Sequence, residues 1–289
     1  MSALTGSVVR GSQPTRALLA RQRSAAARAA LGHCDFCGHR CGVNRLAGQR
    51  GPCGAGAEAR VFCARIDMAE DLDLVPTFAI ALSGCDLRCA FCITGESSWN
   101  PRAGVLVDPR ALAARAEAAL SEGARTIMVL GGEPTVHLPA VLEIVAALPP
   151  TAKLVWKTNA HASAVARRFL DGLFDVWLAD YKFGNDDCAQ RLAGVADYTR
   201  VVRENLAWAG ARTDLIVRHL VMPGHLECCW RPVAAWLATK LPNVPVSLRC
   251  GFWPAWQAGR CPELRSGTTA RAAAQARAIA REFGLCLVA

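Results

Sequence analysis

From residue 77 onward, short apolar runs alternate with longer segments whose apolar positions recur at helical spacing. The runs at 77–83, 126–130, 153–157, 175–179, 215–220, 244–248 and 285–288 read as strands. The segments at 109–122, 139–147, 162–171, 198–209, 232–240 and 269–283 read as helices by spacing or alanine content. Strand–helix alternation predicts a parallel sheet with right-handed crossovers. Six or seven units within about 210 residues fall short of the eight units and roughly 250 residues of a closed barrel. The expected fold class is therefore α/β: a partial (β/α)6 TIM-like barrel over 77–289, with a doubly wound sheet as the alternative that periodicity does not separate.

Upstream the pattern differs. Residues 32–63 are dense in Cys and Gly and lack apolar periodicity, which predicts a small cysteine-rich module held by metal rather than by a hydrophobic core. Residues 1–31 are rich in Ala, Arg and Ser, with helical spacing at Ala17, Leu18, Leu19 and Ala20. An acid-poor leader of this kind can be a mitochondrial transit peptide. It runs straight into the cysteine module, however, which favours a solvated basic helix.

Composition narrows the function classes. The chain has 289 residues, 52% hydrophobic and 20% charged, which suits one large domain with an appendage and excludes a disordered chain. No run approaches the ~18 apolar residues of a membrane span. Of the net charge of +9, much lies in Arg10, Arg16, Arg21, Arg23 and Arg28, ahead of the first acid, Asp35. The remainder is too dilute for a nucleic-acid footprint. Fourteen cysteines are the unusual number. The chain is too long and too regularly patterned for a secreted disulfide scaffold and has no signal-peptide core. The thiols therefore point to metal or iron–sulfur ligation in the cytoplasm.

The central motif follows the first strand: Cys85, Cys89 and Cys92, with Phe91 before the last thiol. Three thiolates on one short loop can wrap one face of a cubane cluster and leave the fourth iron open, as catalysis requires. A zinc clip is the plainer alternative. A second motif, Gly131-Gly132-Glu133-Pro134, follows the second strand.

Together these motifs resemble the signature of the radical S-adenosylmethionine superfamily. The resemblance implies a 4Fe-4S cluster on Cys85, Cys89 and Cys92, and S-adenosylmethionine held by Gly131, Gly132 and Glu133. It further implies reductive cleavage to a 5′-deoxyadenosyl radical that abstracts hydrogen from a substrate. Lys157-Thr158-Asn159, Asp180-Tyr181-Lys182 and Val217-Arg218-His219 are similar to stretches of the pyruvate formate-lyase activating enzymes and their relatives with a cysteine-rich N-terminal extension. On that likeness Asn159, Asp180, Lys182 and His219 join the cofactor set, with Arg218 facing the same mouth. Reduced flavodoxin or ferredoxin is the expected electron donor, and a protein or peptide, such as a glycyl-radical protein, the expected substrate. Ile93-Thr94-Gly95-Glu96 and the stretch from Arg249 to Pro254 depart from the relatives' pattern and leave the substrate open. Radical modification of a peptide, RNA or small molecule, and a non-catalytic metal-binding module, are the rivals. The intact triplet with Glu133 argues against the last.

Cys34, Cys37, Cys41 and Cys53 place four soft ligands within twenty residues, suited to tetrahedral zinc or a second iron–sulfur cluster, with His33 or His39 as substitutes. Adjacent Cys228 and Cys229 would point about 100° apart on a helix. Together with Cys188 they could form another metal site, but free thiols are the favoured reading, as they are for Cys63, Cys250, Cys261 and Cys286. His137 and His161 follow expected strand ends and could line the mouth, but read more simply as solvated loop residues. Trp156, Trp177, Trp208, Trp230 and Trp236 read as packing, and Trp253 and Trp256 as a substrate or partner surface.

Overall fold

The apolar runs become adjacent strands of one sheet in the computed structural model, which describes residues 15–69 and 72–288. The strands are β1 (Arg60–Asp67), β2 (Thr77–Leu82), β3 (Val105–Leu106), β4 (Thr126–Gly131), β5 (Leu154–Thr158), β6 (Val176–Asp180), β7 (Asp214–Leu220), β8 (Val246–Arg249) and β9 (Leu287–Val288). Their order is β3-β1-β2-β4-β5-β6-β7-β8-β9. From β2 to β9 every pairing is parallel and follows chain order. A doubly wound sheet would reverse direction at a switch point. This sheet does not, and it does not close: it is a partial barrel. Its seven parallel strands are the seven apolar runs, the last of only two residues, so the barrel takes the upper of the six or seven units expected, with the antiparallel β1 and β3 added at one edge.

The helices are α1 (Arg16–Ala30), α2 (Glu96–Trp99), α3 (Pro109–Ser121), α4 (Leu138–Ala147), α5 (Ala164–Leu170), α6 (Asp186–Ala193), α7 (Tyr198–Gly210), α8 (Arg231–Lys240) and α9 (Ala270–Glu282). None is long and apolar enough to cross a membrane. Each strand divides its side chains by the pleat. Ile127, Val129, Trp156, Trp177 and Val217 pack outward under the helices. Met128, Val155, Val176, Leu178 and Ile216 pack inward, where Leu72 and Leu74 join them.

Two expectations upstream are corrected. The first fourteen residues of the leader, Arg10 among them, lie outside the described residues. The rest is not merely a solvated helix. In α1, Ala20 and Ala27 are fully buried, their small side chains letting it lie close along α4. Arg16 donates to Ala152 O at 2.8 Å and to Asp175 at 2.6 Å, and Arg23 donates to Phe169 O at 3.0 Å. The cysteine module likewise lacks periodicity but not a core: Cys34, Phe36 and Val61 belong to the barrel's own core, as does Leu31 just before them. Gly38 N donates to His161 O at 2.7 Å and Ser163 N to Phe36 O at 2.9 Å, fixing the module to the β5–α5 connection.

Candidate active site

Gly84, at φ +87°, turns the chain out of β2 into an irregular loop bearing Cys85, Cys89 and Cys92. The first two thiols are buried and the third half-buried. Burial raises the Cys85 thiol well above its usual range, with Asp86 adding to it, and pushes Cys89 up to about 12 against the pull of Lys182. Buried thiolates need a cationic centre to compensate them. The neighbouring turn from β4 is built to touch this loop. Gly132 N donates to Leu82 O at 2.8 Å and Glu133 N to Gly84 O at 2.9 Å. A Cβ on Gly131 would lie 2.1 Å from Leu82 O, and one on Gly132 would lie 2.2 Å from Gly84 O, so only glycine permits the contact.

Glu133 is fully buried and cross-links the strand ends. Its Oε1 accepts from Thr135 N (3.0 Å), Thr135 Oγ1 (2.5 Å) and Thr158 Oγ1 (2.9 Å), and its Oε2 accepts from Asn159 N at 2.7 Å. The Asn159 side chain donates to Asp86 Oδ1 at 2.7 Å, and Asp86 Oδ2 meets His161 Nδ1 at 2.7 Å. Burial would raise the Asp86 pKa, but His161 and Asn159 hold it below the usual carboxylate range. His39 reaches Asp86 O at 2.9 Å from the cysteine module. One polar chain thus joins β4, β5, the thiol loop and the N-terminal module. Asp86 and Thr135 escaped the sequence reading, and Thr158 entered it only as the middle of a matching stretch with no role, although an acid beside the first thiol of the triplet was a usable signal.

Asp180 sits between Arg218 and Lys182, with Arg218 Nε donating at 2.6 Å and Lys182 Nζ in direct contact. Burial raises its pKa, but the two cations hold it far below the usual range. Arg218 shares the inward face with Ile216 two residues before it. His219 shares the outward face with Val217 and is corrected accordingly: its Nδ1 bonds Tyr181 O at 2.7 Å and its ring stacks on Trp230 at 4.7 Å. His137 and His161 are not solvated; both are buried, and His137 Nε2 donates to Ser83 O at 2.9 Å.

Burial lowers the His137 pKa to about 3 and that of His219 to about 4. Both stay neutral in the native protein while the unfolded chain protonates near pH 6.5, so their stabilisation is present above that pH and lost as pH falls. Across pH 7.5 to 5 the two histidines are expected to contribute a loss of ~2–4 kcal/mol at the lower pH, read by denaturant unfolding as the part of the pH dependence that His137→Gln and His219→Gln remove, since Glu133 titrates in the opposite sense over the same range. A pH dependence unchanged by those substitutions would contradict the neutral assignment.

Cys34, Cys37, Cys41 and Cys53 line one small cavity with Phe36, Val43, Arg45 and Pro52. Arg45 is only 2% exposed. It donates to Val136 O at 2.6 Å and to Gly56 O at 3.0 Å, and approaches Cys34 Sγ at 3.6 Å. Among the described residues no carboxylate pairs with it. A buried guanidinium facing four thiols fits an anionic thiolate–metal centre in that cavity.

Around the mouth, the segment after β8 covers the thiol loop, with Gln257 N donating to Ala90 O at 2.8 Å. Trp256 packs edge-on to Trp99 at 5.6 Å, and Phe252 lies 6.1 Å from Phe91. Ile93 (71%), Trp253 (57%) and Trp256 (43%) remain exposed.

An open parallel barrel with a thiol loop at the carboxyl end of its first parallel strand, joined to a glycine turn, defines a class. The family model of the Radical SAM superfamily matches residues 80–237. The chain belongs to that superfamily, so a 4Fe-4S cluster and S-adenosylmethionine are its cofactors, and a reductant must supply an electron. An uncharacterized protein of Methanocaldococcus jannaschii, MJ0674, is 29% identical over 262 residues, covering 89% of this chain and 76% of that protein. Two solved structures share the fold. A radical SAM methyltransferase from Sphaerobacter thermophilus matches at TM-score 0.52 and 14% identity, covering 95% of this chain and 93% of its own. Streptococcus suis SuiB, bound to its precursor peptide SuiA, matches at TM-score 0.53 and 12% identity over 71% of this chain. The chain spans about half of SuiB, 46% of its length.

Proposed function

We propose that Cys85, Cys89 and Cys92 ligate the 4Fe-4S cluster with one iron left open, and that the chain is an oxidoreductase acting on a peptide or protein segment, as a glycyl-radical activating enzyme does. The observation that carries the reading is the joining of the Gly132–Glu133 turn to the end of β2 and to the start of the thiol loop, by backbone hydrogen bonds to Leu82 O and Gly84 O. When bound, the cluster supplies the electron that splits the S–C5′ bond of S-adenosylmethionine, yielding methionine and a 5′-deoxyadenosyl radical. The chain's own residues position and shield. The Gly131–Glu133 turn holds the methionine end beside the thiols, and Glu133 Oε2, with its single donor, keeps a lone pair for the amino group. Asn159 fixes that carboxylate against Asp86. Asp180 and Lys182 bound the opposite side, with Lys182 close enough to Cys89 to influence its thiol.

The exposed Ile93, next to Cys92 in sequence, and Trp256, which packs on Trp99 and against Gly95, support a peptide or protein substrate, with exposed Trp253 three residues away, because an apolar rim at a mouth recognises side chains rather than a small polar molecule. Arg45 among four thiols supports a second iron–sulfur cluster on Cys34, Cys37, Cys41 and Cys53. All fourteen cysteines are free thiols, which suits a reducing cytoplasm and a flavodoxin or ferredoxin donor.

With dithionite, anaerobically reconstituted protein is expected to release 5′-deoxyadenosine and methionine slowly without added substrate, as chromatography will show. A full cluster with no product sinks the reading in favour of a non-catalytic metal-binding module.

A further inference from the structure

Four ligand atoms converge at a second place on the carboxyl-end side of the sheet. Cys188 lies in the first turn of α6, after β6. His225, Cys228 and Cys229 lie in the connection between β7 and α8. His225 Nδ1 stands 3.3 Å from Cys228 Sγ and 3.6 Å from each of Cys188 Sγ and Cys229 Sγ. Cys228 Sγ is 3.9 Å from both other sulfurs, and all four atoms lie within 4.8 Å of one another.

We propose that Cys188, His225, Cys228 and Cys229 form a tetrahedral Cys3His site for a structural zinc ion. Bonds of about 2.3 Å to sulfur and 2.0 Å to nitrogen in a tetrahedron set sulfurs about 3.8 Å apart and sulfur about 3.5 Å from nitrogen, close to the observed spacings. Without an ion the cluster is poorly satisfied. Three thiols face one imidazole nitrogen, whose single lone pair accepts one of them. A cubane would spread its thiolates across four separate irons, wider than these contacts allow.

The expectation that adjacent cysteines diverge fails for a local reason. Residues Leu226–Trp230 form a π-turn rather than an α-helix. Cys229 N and Trp230 N both donate to His225 O, at 3.0 and 3.1 Å. The widened turn lets both thiols reach one point.

The surroundings match a metal's outer partners. Asn185 Nδ2 lies 3.4 Å from Cys188 Sγ and bonds Cys228 O at 2.6 Å. On the far side of the imidazole, Nε2 faces Glu263 Oε1 at 3.6 Å, and the same carboxylate pairs with Arg191. A carboxylate behind a histidine orients the ring for ligation. Four protein ligands leave no open position, so the ion's role is structural. It ties the β6–α6 connection to the β7–α8 connection. The end of α6 in turn accepts from the thiol loop, Arg88 N to Ala193 O and Ala90 N to Leu192 O, both at 2.8 Å.

The test is elemental analysis and zinc-edge X-ray absorption on the full, cluster-loaded chain. The wild type is expected to hold zinc with three sulfurs at about 2.3 Å and one nitrogen at about 2.0 Å. Cys228→Ser should lose about one zinc per chain with its iron unchanged. His225→Cys should keep the zinc and change the shell to four sulfurs, a readout that stands even where Cys228→Ser does not fold. The proposal is overturned by a wild type without zinc or with a four-sulfur shell. Full zinc retention in Cys228→Ser, or loss of iron and sulfide rather than zinc from that variant, overturns it equally.

Discussion

Replacing Cys85, Cys89 and Cys92 together with alanine is expected to remove about four irons per chain and abolish 5′-deoxyadenosine formation. The loop should outlast its thiols, because its backbone is anchored by other groups. Arg88 N and Ala90 N donate to the end of α6, Ala90 O accepts from Gln257 N, and Gly84 O accepts from Glu133 N. Each Cys→Ala change removes one sulfur from a partly buried site, a cost of ~1–2 kcal/mol spread along a loop that keeps those hydrogen bonds. The variant should therefore fold and keep its other metals, at Cys34–Cys53 and at Cys188–Cys229. Iron and sulfide assays with chromatography decide the matter: unchanged iron in the triple variant would refute the cluster assignment. Loss of all metals together would show instead that the loop had collapsed.

The fold was legible where a residue's role follows from local pattern. The seven parallel strands and six of the seven helices from α3 to α9 announce themselves by period, because each buries an apolar face against a neighbour. What escaped depends on partners distant in sequence. β1 has a weakly alternating pattern and takes its place only by pairing with β2. The eight-residue α6 opens on two aspartates and is capped by Asn185, which accepts from Cys188 N at 2.8 Å. The thiol triplet and the glycine turn were legible because chain-local spacing carries their chemistry. His219 was misplaced because a sequence likeness does not say which face of a strand a side chain takes; pleat parity with Val217 and the stack on Trp230 do. Arg45 and Asp86 looked like ordinary charged loop residues. Their burial against the thiols exists only once the N-terminal module docks on the barrel.

Glu133→Gln is expected to lower S-adenosylmethionine cleavage at least tenfold (~1.4 kcal/mol or more) and to destabilise the cofactor-free protein by ~1–3 kcal/mol. The reason is donor arithmetic. The carboxylate accepts four hydrogen bonds from the chain, three at Oε1 and one at Oε2. A glutamine can present its oxygen to the Oε1 donors, but its amide then points two hydrogens at Asn159 N, which also donates. The clash falls on the strand end that holds Asp86 and the thiol loop, so stability and positioning fail together. Burial, reinforced by Asp86, pushes the Glu133 pKa up to about 7 against those donors. The native state therefore holds this proton more tightly than the unfolded chain. The proton's stabilising contribution is complete below about pH 4 and lost as pH rises through 7. The ammonium of S-adenosylmethionine pairs with the ionised form, so wild-type affinity should rise as pH climbs through about 7 and then level off. Glu133→Gln should bind weakly without that rise. Calorimetric titrations at pH 6 and 8 read both effects. A glutamine variant with wild-type stability, affinity and cleavage would show that the carboxylate neither braces the strand ends nor meets the cofactor.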